Sequence, residues 1–263
     1  MLDALDYPII VFALSLATFW MSTLFGAWLR KTVRNASDDN HDDFLFVLGG
    51  TLTLLGLIIG FTFSMAVSRY DQRKNYEAQE ANAIGTEYSR ADLLPTADAA
   101  KLRALLTNYL DQRISNYKSR GRRQRGHSNA QTRLQGELWS AVARSAAGQP
   151  SPLTALTVSG MNDVLDSQGY AQAAWWNRIP IAAWGLLLLI SIFCNLLIGY
   201  VAHGRRGFLF LILPIALSIS LFLIADIDSP GGGIIRVHPQ NLESLAESLH
   251  SQRQMRTDRL APE

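Results

Sequence analysis

The chain is predicted to be all-α, a four-span transmembrane helical bundle with a helical extramembrane domain between spans two and three. Three observations carry this prediction. Four stretches, Tyr7–Leu29, Phe44–Val67, Ile179–Ala202 and Gly207–Ala225, contain no Lys, Arg, Asp, Glu or His. The polar block between the second and third stretches repeats its apolar residues at helical spacing. No convincing alternating strand pattern occurs anywhere. A helix rises about 1.5 Å per residue, so roughly 20 residues cross the ~30 Å hydrocarbon core. A soluble helix would carry charge on its outer face, and these stretches carry none, so that face meets lipid.

Bulk composition hides this division. The 263 residues are 48% hydrophobic and 17% charged, with a formal charge of +2, too small to argue for a nucleic-acid partner. Block 69–178 holds 15 of the 24 Lys and Arg, including Lys118, Arg120, Arg122, Arg123 and Arg125. That run is broken by Gly121 and Gly126 and reads first as a solvated loop, with phosphate or anionic lipid contact as the sharper alternative. The single cysteine, Cys194, lies in the third span, which excludes internal disulfides and cysteine-based metal sites.

Taken in order, the first span follows the acidic segment Met1–Asp6, which lacks the positive start of a signal peptide, so it reads as retained. The expected divisions are 1–68 (first hairpin), 69–178 (helical domain), 179–228 (second hairpin) and 229–263 (tail). The second span meets no helix breaker until Pro95 and is predicted to project well beyond the membrane. Thr96 is the expected N-cap of the next helix, and Leu134, Leu138, Trp139 and Val142 mark another that stops near Gly148. Ser151-Pro152 gives an N-cap with proline at the first helical position. Trp175, Trp176 and Arg178 mark re-entry to the interface. The tail holds a turn at Ser229–Gly233, a short extended piece at Ile234–Val237 and an amphipathic helix at Asn241–His250. Five Lys or Arg flank the spans on each side, counting both short loops, and the compactness of those loops leans toward an external middle block.

Two motifs suggest chemistry. The second span carries small residues at Gly49, Thr53, Gly56, Gly60, Ser64 and Ser68. Close helix packing explains such a stripe. A pore-lining face does so too, with Gly56, Gly60 and Ser64 leaving space and Phe61 and Phe63 forming a hydrophobic constriction. At the end of the fourth span, Asp226 and Asp228 precede a Pro-Gly-Gly-Gly turn. Ion pairing with Arg69, Arg73 or Lys74 explains them, and binding of a hard cation such as Ca²⁺ is the sharper alternative. Glu80 and Asn82 supply further ligands in that alternative, or else cap and pair. Asn195, Ser218 and Ser220 are expected to bond between helices, and Pro214 to kink the fourth span. The five histidines are scattered, and neither a His-Glu-x-x-His motif nor a phosphate-cradling glycine loop occurs, so nothing points to an enzyme.

Gly60-Phe61-Thr62-Phe63-Ser64, Arg69-Tyr70, Glu80–Thr86 and Asp226–Val237 together resemble a family of bacterial membrane proteins called bestrophin-like, with the resemblance running to about Leu249. Bestrophins proper are pentameric anion channels with four spans, a helical cytosolic region, a pore lined by span two and an acidic Ca²⁺ clasp after span four. This sequence lacks the dense acidic cluster of the animal proteins. The resemblance implies a multi-pass homo-oligomer in the lipid bilayer of the bacterial inner membrane, with block 69–178 in the cytosol, against the lean of the loop charges. It implies an ion channel, anion-passing, with Arg69, Arg73 and Lys74 at the pore mouth and Glu80 and Asn82 beyond them. The competing expectation is a non-conducting scaffold or sensor whose helical domain binds a partner. A transporter is a weaker third reading, hinted at only by Pro214.

Overall fold

In the computed structural model, residues 7–32, 41–119, 127–201, 209–229 and 231–260 are described. Eight α-helices follow one another: α1 (Pro8–Thr32), α2 (His41–Arg90), α3 (Thr96–Ser119), α4 (His127–Gly148), α5 (Pro152–Trp176), α6 (Ile181–Val201), α7 (Leu209–Asp228) and α8 (Gln240–Leu260). No strand occurs among the described residues. Among the described residues, four helical stretches are long and apolar enough to cross a membrane. The chain divides into two compact units, one built from residues 1–70 and 178–236, the other from 71–177 and 237–263.

In the first unit, Phe19, Leu55, Ala66, Leu187, Cys194, Leu221 and Ile224 form a core drawn from α1, α2, α6 and α7. α1 and α6 approach at backbone distance. A methyl group on Gly26 would strike the Leu196 carbonyl and come within 3.0 Å of the Tyr200 nitrogen. On Gly199 it would strike the Thr23 carbonyl and lie 3.1 Å from the Ala27 nitrogen. Polar groups fasten the same seam, which matters where no water competes. Ser22 Oγ donates to the Ile192 carbonyl at 2.8 Å, and Arg30 Nη1 donates to the carbonyls of Tyr200 and Val201 at the α6 C-terminus. Asn195 does bond between helices, accepting from Thr23 Oγ1 at 3.4 Å. Ser218 and Ser220 do not: each donates one turn back along α7, to Pro214 and Ala216. The Ser218 bond uses the Pro214 carbonyl, whose ordinary partner would be that residue's amide.

The second unit is built from the outer part of α2 with α3, α4, α5 and α8. α2 closes in a single 3₁₀ turn, Ala91–Leu93, and Leu94 before Pro95 is extended (φ −96°, ψ 160°), as proline requires of its predecessor. α3 begins at Thr96, with the Pro95 carbonyl accepting from the Ala99 N–H, so the cap position falls one residue earlier than expected. Ser151 caps α5 through a reciprocal box: its Oγ accepts from Thr154 N, and Thr154 Oγ1 accepts from Ser151 N. The tail helix α8 outruns its expected span by ten residues at its C-terminal end. The Arg-rich stretch 120–126 and the loop 202–208 lie outside the described residues, while Lys118 pairs with Glu243 of α8 at 2.7 Å.

Candidate functional site

α2 runs for 50 residues and has two unlike faces. One is buried along its length: Leu48, Leu55, Thr62 and Ala66 within the apolar span, then Arg73, Glu77, Glu80, Ile84 and Glu87 beyond it. The spacing of seven, seven and four residues keeps these positions on one side of a 3.6-residue helix. The other face of the apolar part is open. A methyl group on Gly49, Gly56 or Gly60 would meet nothing within 4 Å. Phe61 is 66% exposed and Phe63 37%, and Ser64 is exposed beside them. Thr51 and Thr53 satisfy their hydroxyls on their own helix, bonding to the carbonyls of Val47 and Gly49. The predicted small-residue stripe is therefore present, but the close helix packing within the chain falls to Gly26 and Gly199.

Beyond the span, the residues expected at a pore mouth separate. Lys74 and Asn82 are exposed and Arg69 is half-buried, whereas Arg73 is 2% exposed and Glu80 fully buried. Glu80 is thus not a mouth residue of this chain. Its carboxylate takes the Arg113 guanidinium in a fork, Nε to Oε1 and Nη2 to Oε2, and accepts from Tyr117 Oη at 3.4 Å. The Arg113 side chain lies over the Tyr117 ring, and its Nη1 also donates to Gln131 of α4 at 3.4 Å. Burial alone would lower the guanidinium's pKa, but the Glu80 charge and hydrogen bond outweigh it and push it up. A bidentate pair of this kind satisfies a charge that would otherwise be costly to bury.

Glu77, also fully buried, caps α8 from outside that helix. Its Oε1 accepts from the amides of Asn241 and Leu242, both at 3.0 Å, and Oε2 from Asn241 Nδ2 at 2.6 Å. A carboxylate at a helix N-terminus meets orphan N–H donors and the positive end of the dipole. The third glutamate, Glu87, is fully buried against Gly160 of α5. Burial raises its pKa to about 8, with Arg90 lowering it and Asp163 raising it further. The phase of the buried face, carried on from Leu48 and Leu55, was the signal in the sequence that could have found all three.

Asp226 and Asp228 each hold backbone amides. Asp226 Oδ1 accepts from Ile234 N at 2.7 Å and Oδ2 from Ile235 N at 2.8 Å. Gly233 is packed so tightly on it that a methyl group there would lie 2.6 Å from the Asp226 carbonyl oxygen. Ser229 Oγ accepts from Gly232 N, and Arg236 Nε donates to the Gly233 carbonyl. Asp228 accepts from Ile179 N, at 3.2 and 3.3 Å, which ties the lead-in to α6 onto the end of α7. Of the expected extended piece, Ile234 and Ile235 are bends, while Arg236 and Val237 belong to no helix, strand or turn. Ca²⁺ wants six to eight oxygen ligands. Here both Asp226 oxygens are occupied by amide donors, and no group of three His, Cys, Asp or Glu suited to a metal occurs among the described residues.

Comparison with known proteins places this architecture. The chain belongs to the Bestrophin-like family, whose domain model matches residues 10–242. Crystal structures of two point variants of a bacterial bestrophin homologue from Klebsiella pneumoniae share its fold. One has a TM-score of 0.62 at 13% identity, covering 90% of this chain and 96% of that one. The other has 0.63 at 12%, covering 92% and 97%. A further crystal structure, described as a membrane protein, gives 0.63 at 12%, covering 90% and 97%. No curated protein matches. The chain is a Bestrophin-like membrane protein.

Proposed function

We propose that the chain is one subunit of a homo-oligomeric ion channel in the bacterial inner membrane, crossing the bilayer several times and acting by conduction rather than catalysis. Its pore is lined by the open face of α2, with Gly56, Gly60 and Ser64 leaving room for ions and Phe61 and Phe63 narrowing the path. The observation that carries this reading is the empty space over Gly49, Gly56 and Gly60, because a non-conducting scaffold would use a small-residue stripe to pack its own helices. Lys74, exposed on the same helix past the apolar segment, favours anions at the mouth. Arg69 adds positive charge nearby, and no duty at the mouth is given to Arg73 or Glu80.

Purified protein in planar bilayers tests this. Expected is a chloride-favouring conductance, with Lys74→Glu moving the reversal potential toward cation selectivity. In a Cys194→Ala background, Gly56→Cys and Ser64→Cys make that current sensitive to a charged thiol reagent. Absence of current across voltage and ionic conditions, with the protein intact and oligomeric, returns the scaffold reading.

A further inference from the structure

Glu87 is the buried glutamate of α2 whose carboxylate oxygens accept no hydrogen bond from a described residue. Its side chain is 0% exposed. Glu80 and Glu77, two and three turns away on the same face, each have a full set of donors. The contrast is not one of available cations. Arg90 stands one turn on from Glu87, and its Nη1 lies beside Glu87 Oε2 over Gly160, yet no hydrogen bond joins them: that Nη1 donates to the Leu156 carbonyl at 3.3 Å and pairs with Asp163 at 4.0 Å. On α3, Arg103 is held by Asp92 and Arg113 by Glu80.

What α5 offers Glu87 is a missing side chain. Any Cβ on Gly160 would collide with Glu87 Oε2 and with Arg90 Nη1, and would lie 3.2 Å from Arg90 Cδ. The two helices therefore close over a carboxyl group with the Gly160 backbone on one side, on a helix whose Met161 and Val164 are also buried. An ionised carboxylate left without donors in such a seam is far costlier than a neutral acid. The charged groups facing it are Arg90 from its own helix and Asp163 from α5, and Arg90 is already shared between Leu156 and Asp163.

We propose that Glu87 is a proton-binding site: it carries a proton when α2 and α5 are closed over Gly160, and release of that proton opens the seam. On release the carboxylate draws Arg90 off Asp163 and Leu156 and admits water between the helices, and the proton leaves to solvent. The sign follows from linkage. The closed state holds the proton more tightly than the opened one, where the group titrates at its ordinary 4.5, so closure is strongest in acid. It weakens as pH rises from about 4.5 to about 8 and is level above that. Within the window the open population grows up to about tenfold per pH unit. This holds whether or not the protein conducts.

The test is hydrogen exchange on the full-length protein in detergent or nanodiscs between pH 5.5 and 9.5, corrected for the intrinsic pH dependence of exchange. Peptides covering 84–91 and 157–164 are expected to lose protection by roughly 100-fold between pH 5.5 and 7.5 and to plateau above about 8. Glu87→Gln, which mimics the protonated acid, is expected to abolish the pH dependence while keeping the acid-side protection. Asp163→Asn is expected to move the plateau to lower pH, a shift that loss of packing alone would not produce. Infrared difference spectra give a second readout if Glu87→Gln folds poorly. A protonated-carboxyl band in wild type at neutral pH is expected to vanish in alkali and to be missing from Glu87→Leu. A flat wild-type exchange profile, an unchanged pH response in Glu87→Gln, or no such band at neutral pH would overturn the proposal.

Discussion

The two units hold their helices together by different means. In the apolar unit the closest contact is made by what is missing: Gly26 and Gly199 let α1 and α6 meet backbone to backbone. In the other unit buried charged groups set the register between helices, with Glu77 capping α8 and Glu80 gripping Arg113. Solvent explains the difference. Lipid gives apolar side chains no reason to prefer one another, so close approach and interhelical hydrogen bonds must supply the association. Outside the membrane, hydrophobic burial supplies it, and buried ion pairs add register instead of net energy.

The comparison breaks first at Gly199. Gly199→Ala drives a methyl into the Thr23 carbonyl, and because the obstacle is backbone, the helices must separate along their length. The expected cost is roughly 4–5 kcal/mol, the exceptional end for one substitution. It should appear as loss of monodisperse protein in detergent and a sharp fall in Tm. A variant as stable as wild type would mean that the α1–α6 seam is looser than drawn.

Next comes the ion pair. Arg113→Met leaves Glu80 buried with one weak donor, Tyr117 Oη, and is expected to cost roughly 3–5 kcal/mol. Replacing both partners, as Glu80→Leu with Arg113→Met, removes the stranded charge and should recover most of that loss. Thermal unfolding of the two variants side by side checks it. A double variant as unstable as the single one would show that the pair contributes net stability rather than register.

The sequence made the spans and most helix ends legible because their signals are local. A run without charge, a Pro95 that no helix interior tolerates, and the Ser151-Pro152 start each act within a turn or two. The partners of a helix face are not local, which is why the sequence alone puts Glu80 and Asn82 together at one mouth. They lie 200° apart around the helix axis, so one turns inward to Arg113 while the other meets solvent. Asp226 was hidden for the same reason. A carboxylate beside three glycines suits a cation or a turn equally well, and only the fold shows that the amides of Ile234 and Ile235 reach it first. The glycine stripe of α2 is visible, but of the glycines that pack, Gly26 is alone in α1 and Gly199 shares α6 only with the distant Gly185, so neither belongs to a glycine repeat.

That last contrast gives the smallest and most discriminating prediction. Gly60→Ala places a methyl where nothing lies within 4 Å, so the subunit has no contact to lose. Alanine is also the better helix former, by up to about 1 kcal/mol. Stability of the subunit should stay level or rise slightly, in contrast to the large loss at Gly199. Under the proposed channel reading conductance is the sensitive readout, because there a methyl in each copy would narrow a shared pore while leaving each subunit's fold intact. If Gly60→Ala instead destabilises the protein as Gly199→Ala does, the open face is filled by a neighbouring helix, and α2 serves as assembly contact and not as the wall of an ion path.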